Sequence, residues 1–336
     1  MSHNSIIYIG IDVHERESQV AVLEKSGKLL LEDRVPTGEL EEFISSIEGK
    51  KHIAIESVGF IHPIYERLSS IDRCKVYVAN SNKLNLISQS STKNDRNDAR
   101  ILGDLLRMNY LPLAHIRDKE TREKLYVVND RVAYGLRRGE LRTTIRWLLK
   151  RRGIDIEGRP FSDEWKDKVK ELHIREIDLR LKELEFVEST IEELDRQIKS
   201  IVADDHKAKL LDTIPGVAPY TALFLACILD DIDRFPDSKH ACAYLGLVPW
   251  LDDSADTEHL GHITKKGNKW LRRNLVECAR IAVRKDPHIR EFYERVKHRR
   301  GEKKAIIAVA RKLVSYAYWM LKRNITYEEP HPWLLA

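Results

Sequence analysis

Four carboxylates stand where cation-dependent phosphoryl chemistry would need them. The stretch "IGIDVHERESQVAVL", Ile9 to Leu23, ends an apolar run on Asp12 and continues into a second, alternating segment. "HIAIESVGF" repeats the arrangement with Glu56 at the end of a short apolar strand, and "STKNDRNDARIL" supplies Asp95 and Asp98 at the opening of a helical pattern. The i, i+3 spacing of the last two puts them on one helical face. Asp98 shares that face with Ile101, Leu102 and Leu105, the side expected to pack on a sheet. A carboxylate placed there is costly unless something pairs with it. Mg²⁺ or Mn²⁺, which take hard oxygen ligands, would supply that pairing, and two such ions stabilise both the attacking and the leaving oxygen of a phosphoryl transfer. Each acid also has a plainer reading, Asp95 as a helix N-cap and Asp98 as a charge favoured by the positive end of the helix.

The elements that must position these acids are legible as an alternation of strand and helix signals. Ile6 to Asp12 is a continuous apolar run, Glu17 to Leu23 alternates, and "KSGK" at 25–28 reads as a hairpin turn before "LLLEDRV". A helical pattern ("GELEEFISSIE"), a strand ("HIAIES"), a helix ("HPIYERLSSI"), a strand ("KVYVAN") and a helix from about Asn94 follow. Three strands, then helix, strand, helix, strand, helix, is the order of an RNase H-like α/β sheet, in which the ends of the first and fourth strands and a later helix converge on one edge. Asp12, Glu56, Asp95 and Asp98 would then form one metal-binding cluster. Sugar kinases and actin-like ATPases share this sheet, but their first hairpin needs small residues so that backbone can approach phosphate. His14, Glu15 and Arg16 stand there instead, and Glu15 beside a triphosphate would be repulsive.

From Asp118 to about Ser200 strand signals stop. "LRLKELEFVESTIEELDRQI" spaces Leu184, Val187, Ile191, Leu194 and Ile198 three to four apart among many charges, the pattern of a solvated spacer or of a coiled-coil dimerisation arm. "TIPGVAPYTALFLACIL", from Thr213, is a Pro-Gly turn followed by an apolar helix, either an ordinary helical hairpin or one that offers backbone N–H groups to a DNA phosphate. "KKAIIAVARKLVSYAYWMLK" is a strongly amphipathic helix.

Net charge is only +5, from 58 basic and 53 acidic residues, so the total says little about a polyanionic partner and the distribution says more. Arg138, Arg142, Arg146 and Lys150 recur every fourth residue and form one basic stripe on a helix, while "ITKKGNKWLRRN" gathers Lys265, Lys266, Lys269, Arg272 and Arg273 around a glycine. Both could hold nucleic-acid phosphates by charge, and each alone could equally be a solvated face. The four cysteines form no C-x-x-C pair, which points away from a structural zinc site or a disulfide framework. With no basic-then-apolar leader in "MSHNSIIYIG" and no apolar run near the roughly 18 residues of a membrane span, a cytoplasmic protein without a membrane partner is expected.

Taken in order, "GIDVH", "AIESVG", "TKNDRNDARIL", "LDTIPGVAPYTALFLACILDDIDRF" and "YLGLVPWLDDSADTEHLGHITKKGNKWLRRNLVECA" resemble the DEDD-type transposases of the insertion sequence 110 family, the bridge-RNA-guided recombinases. The resemblance implies three regions: an RNase H-like (RuvC resolvase-like) metal domain over 1–117, a basic helical and coiled-coil arm over 118–205, and over 206–328 a helical transposase domain with a helix-hairpin-helix-like segment. It implies that Asp12, Glu56, Asp95 and Asp98 bind Mg²⁺. It further implies that Ser254 attacks a DNA phosphate to give a covalent intermediate, in a homodimer or tetramer acting on donor and target double-stranded DNA under a guide RNA. On its own residues Ser254 reads as a loop position among acids, "DDSAD". A water-using, junction-resolving nuclease and a non-catalytic nucleic-acid-binding protein are the alternatives. Two positions depart from the family pattern: Ala255 replaces the glycine usual after the serine, and Ala218 the second glycine of the "IPG" hairpin.

Overall fold

The computed structural model describes residues 6–81, 83–84, 95–254 and 257–328, with their side chains except at 95–96 and 251–261. Two compact units divide between Ile116 and Arg117.

In the first unit, β1 (Ile6–Asp12), β2 (Glu17–Leu23), β3 (Leu29–Pro36), β4 (Lys50–Glu56) and β5 (Cys74–Ala79) form one sheet in the order β3-β2-β1-β4-β5. β2 is antiparallel to both neighbours, while β1, β4 and β5 run parallel. Antiparallel neighbours need only tight turns and parallel ones need crossovers, which α1 (Leu40–Ser46) and α2 (Ile61–Ser69) provide. Ile9, Ile11, Ile53, Ile55 and Val78 pack against Leu40, Ile44, Ile61, Ile64 and Leu68 of those helices. The two-residue period of a strand sends Gly10, Asp12, Ala54 and Glu56 to the opposite face. There α3 (Asp95–Arg107) lays Leu102, Leu105 and Leu106 against Ala54 and Ala79.

Two glycines let α3 approach this closely. A Cβ on Gly10 would overlap the Ala99 carbonyl oxygen and stand 2.5 Å from the Gly103 nitrogen, and a Cβ on Gly103 would run into Leu23 Cδ1. Because Leu23 pairs with Tyr8, earlier in β1 than Gly10, the helix runs back along the strand, and its first turn lies at the Asp12 end. Arg100 fixes it sideways by a bidentate pair with Glu32 of β3, at 2.7 and 2.6 Å.

In the second unit, α4 (Lys119–Arg151) and α6 (Arg175–Asp204) run antiparallel: Arg131 meets Asp195 at 2.7 Å at one level and Arg152 meets Glu176 at 2.8 Å at another. A short α5 (Asp163–Lys170) adds Trp165 and Val169 to the core at their tip. The apolar stripe of α6 is covered within the chain: Leu184, Val187 and Ile191 are buried with Leu141 and Ile145, Ile198 is buried with Val128, and Leu194 is half-buried. Beyond it, α7 (His206–Asp212), α8 (Pro219–Leu229), α9 (Ser238–Tyr244), α10 (Lys269–Lys285), α11 (Pro287–Arg300) and α12 (Glu302–Arg323) build one core, in which Thr221 through Leu229 of α8 are all buried. The sequence pattern points to helices alone here. The structure adds an antiparallel hairpin, β6 (Pro249–Ser254) and β7 (Thr257–Ile263). Pro249 lacks the N–H a helix interior needs, and Gly246 and Gly267 hold positive φ at either end, so a continuous helix is excluded.

Lys124 ties the start of α4 to the α6–α7 junction, its ammonium 2.6 Å from both Asp205 and Glu120. Burial alone would raise the Asp205 pKa; the hydrogen bonds from Lys124 and from the Ala208 N–H overcome it and hold the carboxyl below the usual aspartate range.

Two predictions follow from these contacts. Gly10→Ala should lower the free energy of unfolding by about 1–3 kcal/mol in urea titrations. Gly103→Ala should cost clearly less, because Leu23 Cδ1 can turn away and alanine is favoured over glycine in a helix by about 1 kcal/mol; equal losses would contradict the backbone contact. A depressed native pKa contributes stability above the unfolded-state value and loses it as pH falls toward the native one. Thermal melts should therefore lose stability as pH falls from about 5 through the ordinary aspartate value, and Lys124→Met should flatten that part of the profile.

Candidate functional site

Asp12 and Glu56 end adjacent parallel strands, one residue beyond the Ile11–Ile55 pair and on the same face. Asp12 is 9 % exposed, and its Oδ2 lies 3.2 Å from His14 Nε2. The turn after it is held from below: Thr37 Oγ1 donates to the His14 carbonyl at 2.8 Å and bonds Ser18 Oγ at 2.8 Å. Glu56 and Asp98 are half-buried, Asp98 one residue before the Ala99 carbonyl that covers Gly10. Asp95 begins α3, and its side chain lies outside the described ones. The fold thus carries Asp12, Glu56 and the turn bearing Asp98 to one edge of one sheet face. Among the described residues no group of three or more His, Cys, Asp or Glu side chains is gathered closely enough to hold a metal ion.

Ser254 closes the β6–β7 hairpin, paired in register with Thr257; Ala255 and Asp256 between them lie outside the described residues, as does the Ser254 side chain. The base of that hairpin is tightly built. Gly246 has φ +68°, and a Cβ there would overlap the Lys266 carbonyl oxygen and stand 2.5 Å from its nitrogen. Gly267, at φ +74°, would reciprocate against the Tyr244 carbonyl. Backbone bonds from Thr264 N to Val248 O (2.9 Å) and from Lys265 N to Gly246 O (3.3 Å) continue the ladder into the turn. Arg272 Nη1 then donates to both Leu245 O (3.1 Å) and Lys266 O (2.7 Å), joining the two sides.

The basic residues separate by environment. Arg138 is half-buried, and burial together with neighbouring Arg142 and Arg131 pushes its pKa down. Arg142 pairs with Glu188 at 2.5 Å and lies over the Phe161 ring. Arg146 and Lys150 are exposed. Lys265, Lys266, Lys269 and Arg273 are exposed as well, with the Lys266 ammonium 5.7 Å from the Trp250 ring and that of Lys269 4.6 Å from Trp270. The Pro-Gly turn joins α7 to α8, and Gly216 (φ +84°) packs against α10: its Cβ would stand 2.5 Å from the Cys278 carbonyl. Residues missed by pattern reading are the glycines, whose only signal was Gly10 inside an otherwise apolar strand, and Arg272's role within the fold.

A transposase family model of the DEDD IS110 group matches residues 9–132, spanning Asp12 through Asp98, and a model described as the Transposase IS116/IS110/IS902 family matches residues 208–294, spanning Ser254 and the 263–274 segment. The chain belongs to the IS110 transposase family. It is 26 % identical over 302 residues to the transposase for insertion sequence element IS1328 of Yersinia enterocolitica, covering 84 % of this chain and 85 % of that one. It is 24 % identical over 355 residues to the transposase for IS1111A of Coxiella burnetii, covering 97 % and 92 %. A pilin gene-inverting protein of Moraxella bovis is 29 % identical over 147 residues, 42 % of this chain and 46 % of that one. An IS110-family transposase is an insertion-sequence enzyme that processes DNA, so DNA is its partner. Among the described residues no helix of this transposase is long and apolar enough to cross a membrane.

Arg272→Ala should destabilise the protein by about 1–3 kcal/mol, because two carbonyls lose their donor, whereas Arg273→Ala should leave the melting temperature nearly unchanged. Equal, small shifts for both in differential scanning fluorimetry would remove Arg272 from the hairpin base.

Proposed function

We propose that this IS110-family transposase is a recombinase that cuts and rejoins DNA through Ser254, with divalent cations held by Asp12, Glu56, Asp95 and Asp98. The observation that carries the metal part is the convergence of Asp12, Glu56 and the first turn of α3 on one edge of a sheet ordered β3-β2-β1-β4-β5, which supports an RNase H-like reading of the first unit. The donor set fits a hard cation: all four are carboxylates, and the low exposure of Asp12 makes an uncompensated charge costly. When bound, Mg²⁺ or Mn²⁺ would stabilise negative charge developing on phosphate oxygens.

For the serine step, the Ser254 Oγ–P bond forms as a backbone P–O bond breaks, and the departing oxygen takes up a proton. Attack by a second strand's hydroxyl on the phosphoserine then restores Ser254 and rejoins DNA. Such an intermediate keeps the phosphodiester energy that hydrolysis would dissipate, and inversion, after which the Moraxella bovis relative is named, requires strands to be rejoined. Lys265, Lys266, Lys269 and Arg273, exposed and next to Ser254 in sequence, supply phosphate contacts. A homodimer or tetramer acting under a guide RNA completes the reading, which places target choice in base pairing rather than in side chains.

A suicide DNA substrate should trap a covalent adduct that Ser254→Ala abolishes, with recombination falling on the order of a thousandfold or more. Asp12→Ala and Asp98→Ala should each lower cation-dependent cleavage at least about a hundredfold. Full recombination by Ser254→Ala would leave water as the attacking group and make the enzyme a nuclease of the junction-resolving kind. Unchanged cleavage by the aspartate variants would remove the metal site.

A further inference from the structure

At the tip of the α4–α6 hairpin, the end of α4 and the segment that follows it line an open groove of about 430 Å³. That volume falls within the roughly 300–1,000 Å³ of ligand-binding clefts. From α4 it is lined by Arg146 and Lys150, one helical turn apart, and by Leu149; the segment after α4 contributes Ile154, Ile156 and Pro160, and α5 contributes Trp165. Three other arginines of this stretch are engaged within the fold. Arg137 pairs with Glu183, Arg142 with Glu188, and Arg152 with Glu176. Among the described residues Arg146 and Lys150 enter no ion pair; Arg146 donates only to the Arg142 carbonyl, at 3.4 Å. Trp147, 55 % exposed, stands beside them with the Arg151 guanidinium 5.2 Å from its ring. Asp155 is the acid on the lining, and it keeps a phosphate to the α4 side.

We propose that this groove takes one unpaired base of a DNA strand opened during processing, with Arg146 and Lys150 on the flanking phosphates. The chemistry is complementary in both parts: an apolar slot desolvates a base face, and two cations without protein partners neutralise the backbone that carries it. A base inside a duplex is stacked and paired and cannot enter, so the site distinguishes opened from closed DNA. DNA is the polyanion on which the family acts, which selects it as the occupant. The inference needs the chain to act on DNA but does not depend on Ser254 or on the acids, so the two readings can fail separately.

The test uses the full chain and three fluorescein-labelled DNA duplexes of one sequence: fully paired, with a central unpaired bubble, and with abasic sites in that bubble. Wild-type protein should bind the bubble about tenfold more tightly than the paired duplex, and abasic substitution should remove the preference. Arg146→Gln with Lys150→Gln should also remove it and lower the salt dependence by about 0.7 per lost phosphate contact. Its melting temperature should not change. A bubble preference that survives in the double variant, or abasic DNA bound as tightly as intact bubble, would overturn the proposal. So would an equal loss on paired duplex. An RNA bubble bound through these residues while the DNA bubble is not would overturn the assignment to DNA.

Discussion

A helix can lie directly on a strand only where backbone meets backbone, and the first unit depends on such a contact. Gly10 in β1 and Ala99 and Gly103 in α3 approach so closely that no side chain fits between them. The contact does more than fill space. It fixes where along β1 the helix sits, and the helix direction then brings the residues just before Ala99 to the carboxyl end of the strand. Asp98, the residue directly before Ala99, therefore lies toward the carboxyl end of β1, where Asp12 stands two residues beyond Gly10. The sheet supplies Glu56 independently, through the parallel register of β1 and β4. The placement of these carboxylates therefore follows from packing made on the same sheet face that carries them.

The second unit solves a related problem. An isolated two-stranded hairpin is marginally stable at best in water, yet the segment carrying Ser254 is one. Its base is fixed by two turns that interlock through Gly246 and Gly267, and by Arg272, which donates to a carbonyl on each side. Those anchors connect the ribbon to a core through Leu245, Leu247 and Leu271, all buried. The root of the ribbon is thus held in register by the core beneath it.

Much of this architecture was legible because it is local. Strand periods, the acids at strand ends, the i, i+3 pair and the long helical stretch each show within a few residues. What was hidden is relational. Gly10 looks like an interruption in an apolar strand until α3 is laid on it, and nothing near it in the sequence names Gly103 as its partner. "LVPWLDDSADTEHL" shows too few alternating apolar positions to announce a hairpin, since turn glycines outside it hold it in place. The stripe of α6 looks available to a second chain until Leu141 and Ile145, more than thirty residues earlier, are seen to cover it.

The same distinction governs charge. Arg138, Arg142, Arg146 and Lys150 are indistinguishable by spacing, yet they occupy three different physical states. Arg138 is half-buried among other cations, Arg142 is bound to Glu188 forty-six residues away, and Arg146 and Lys150 are exposed. A phosphate approaching Arg142 would have to displace a carboxylate already in hydrogen-bond contact, whereas at Arg146 or Lys150 it displaces water and mobile ions, whose release favours binding. A net charge of +5 conceals this sorting, because paired arginines add to the total without adding to the field a nucleic acid meets. Cations that hold the arm together and cations that can hold a strand are therefore separated by their protein partners, although the sequence sets them on one stripe.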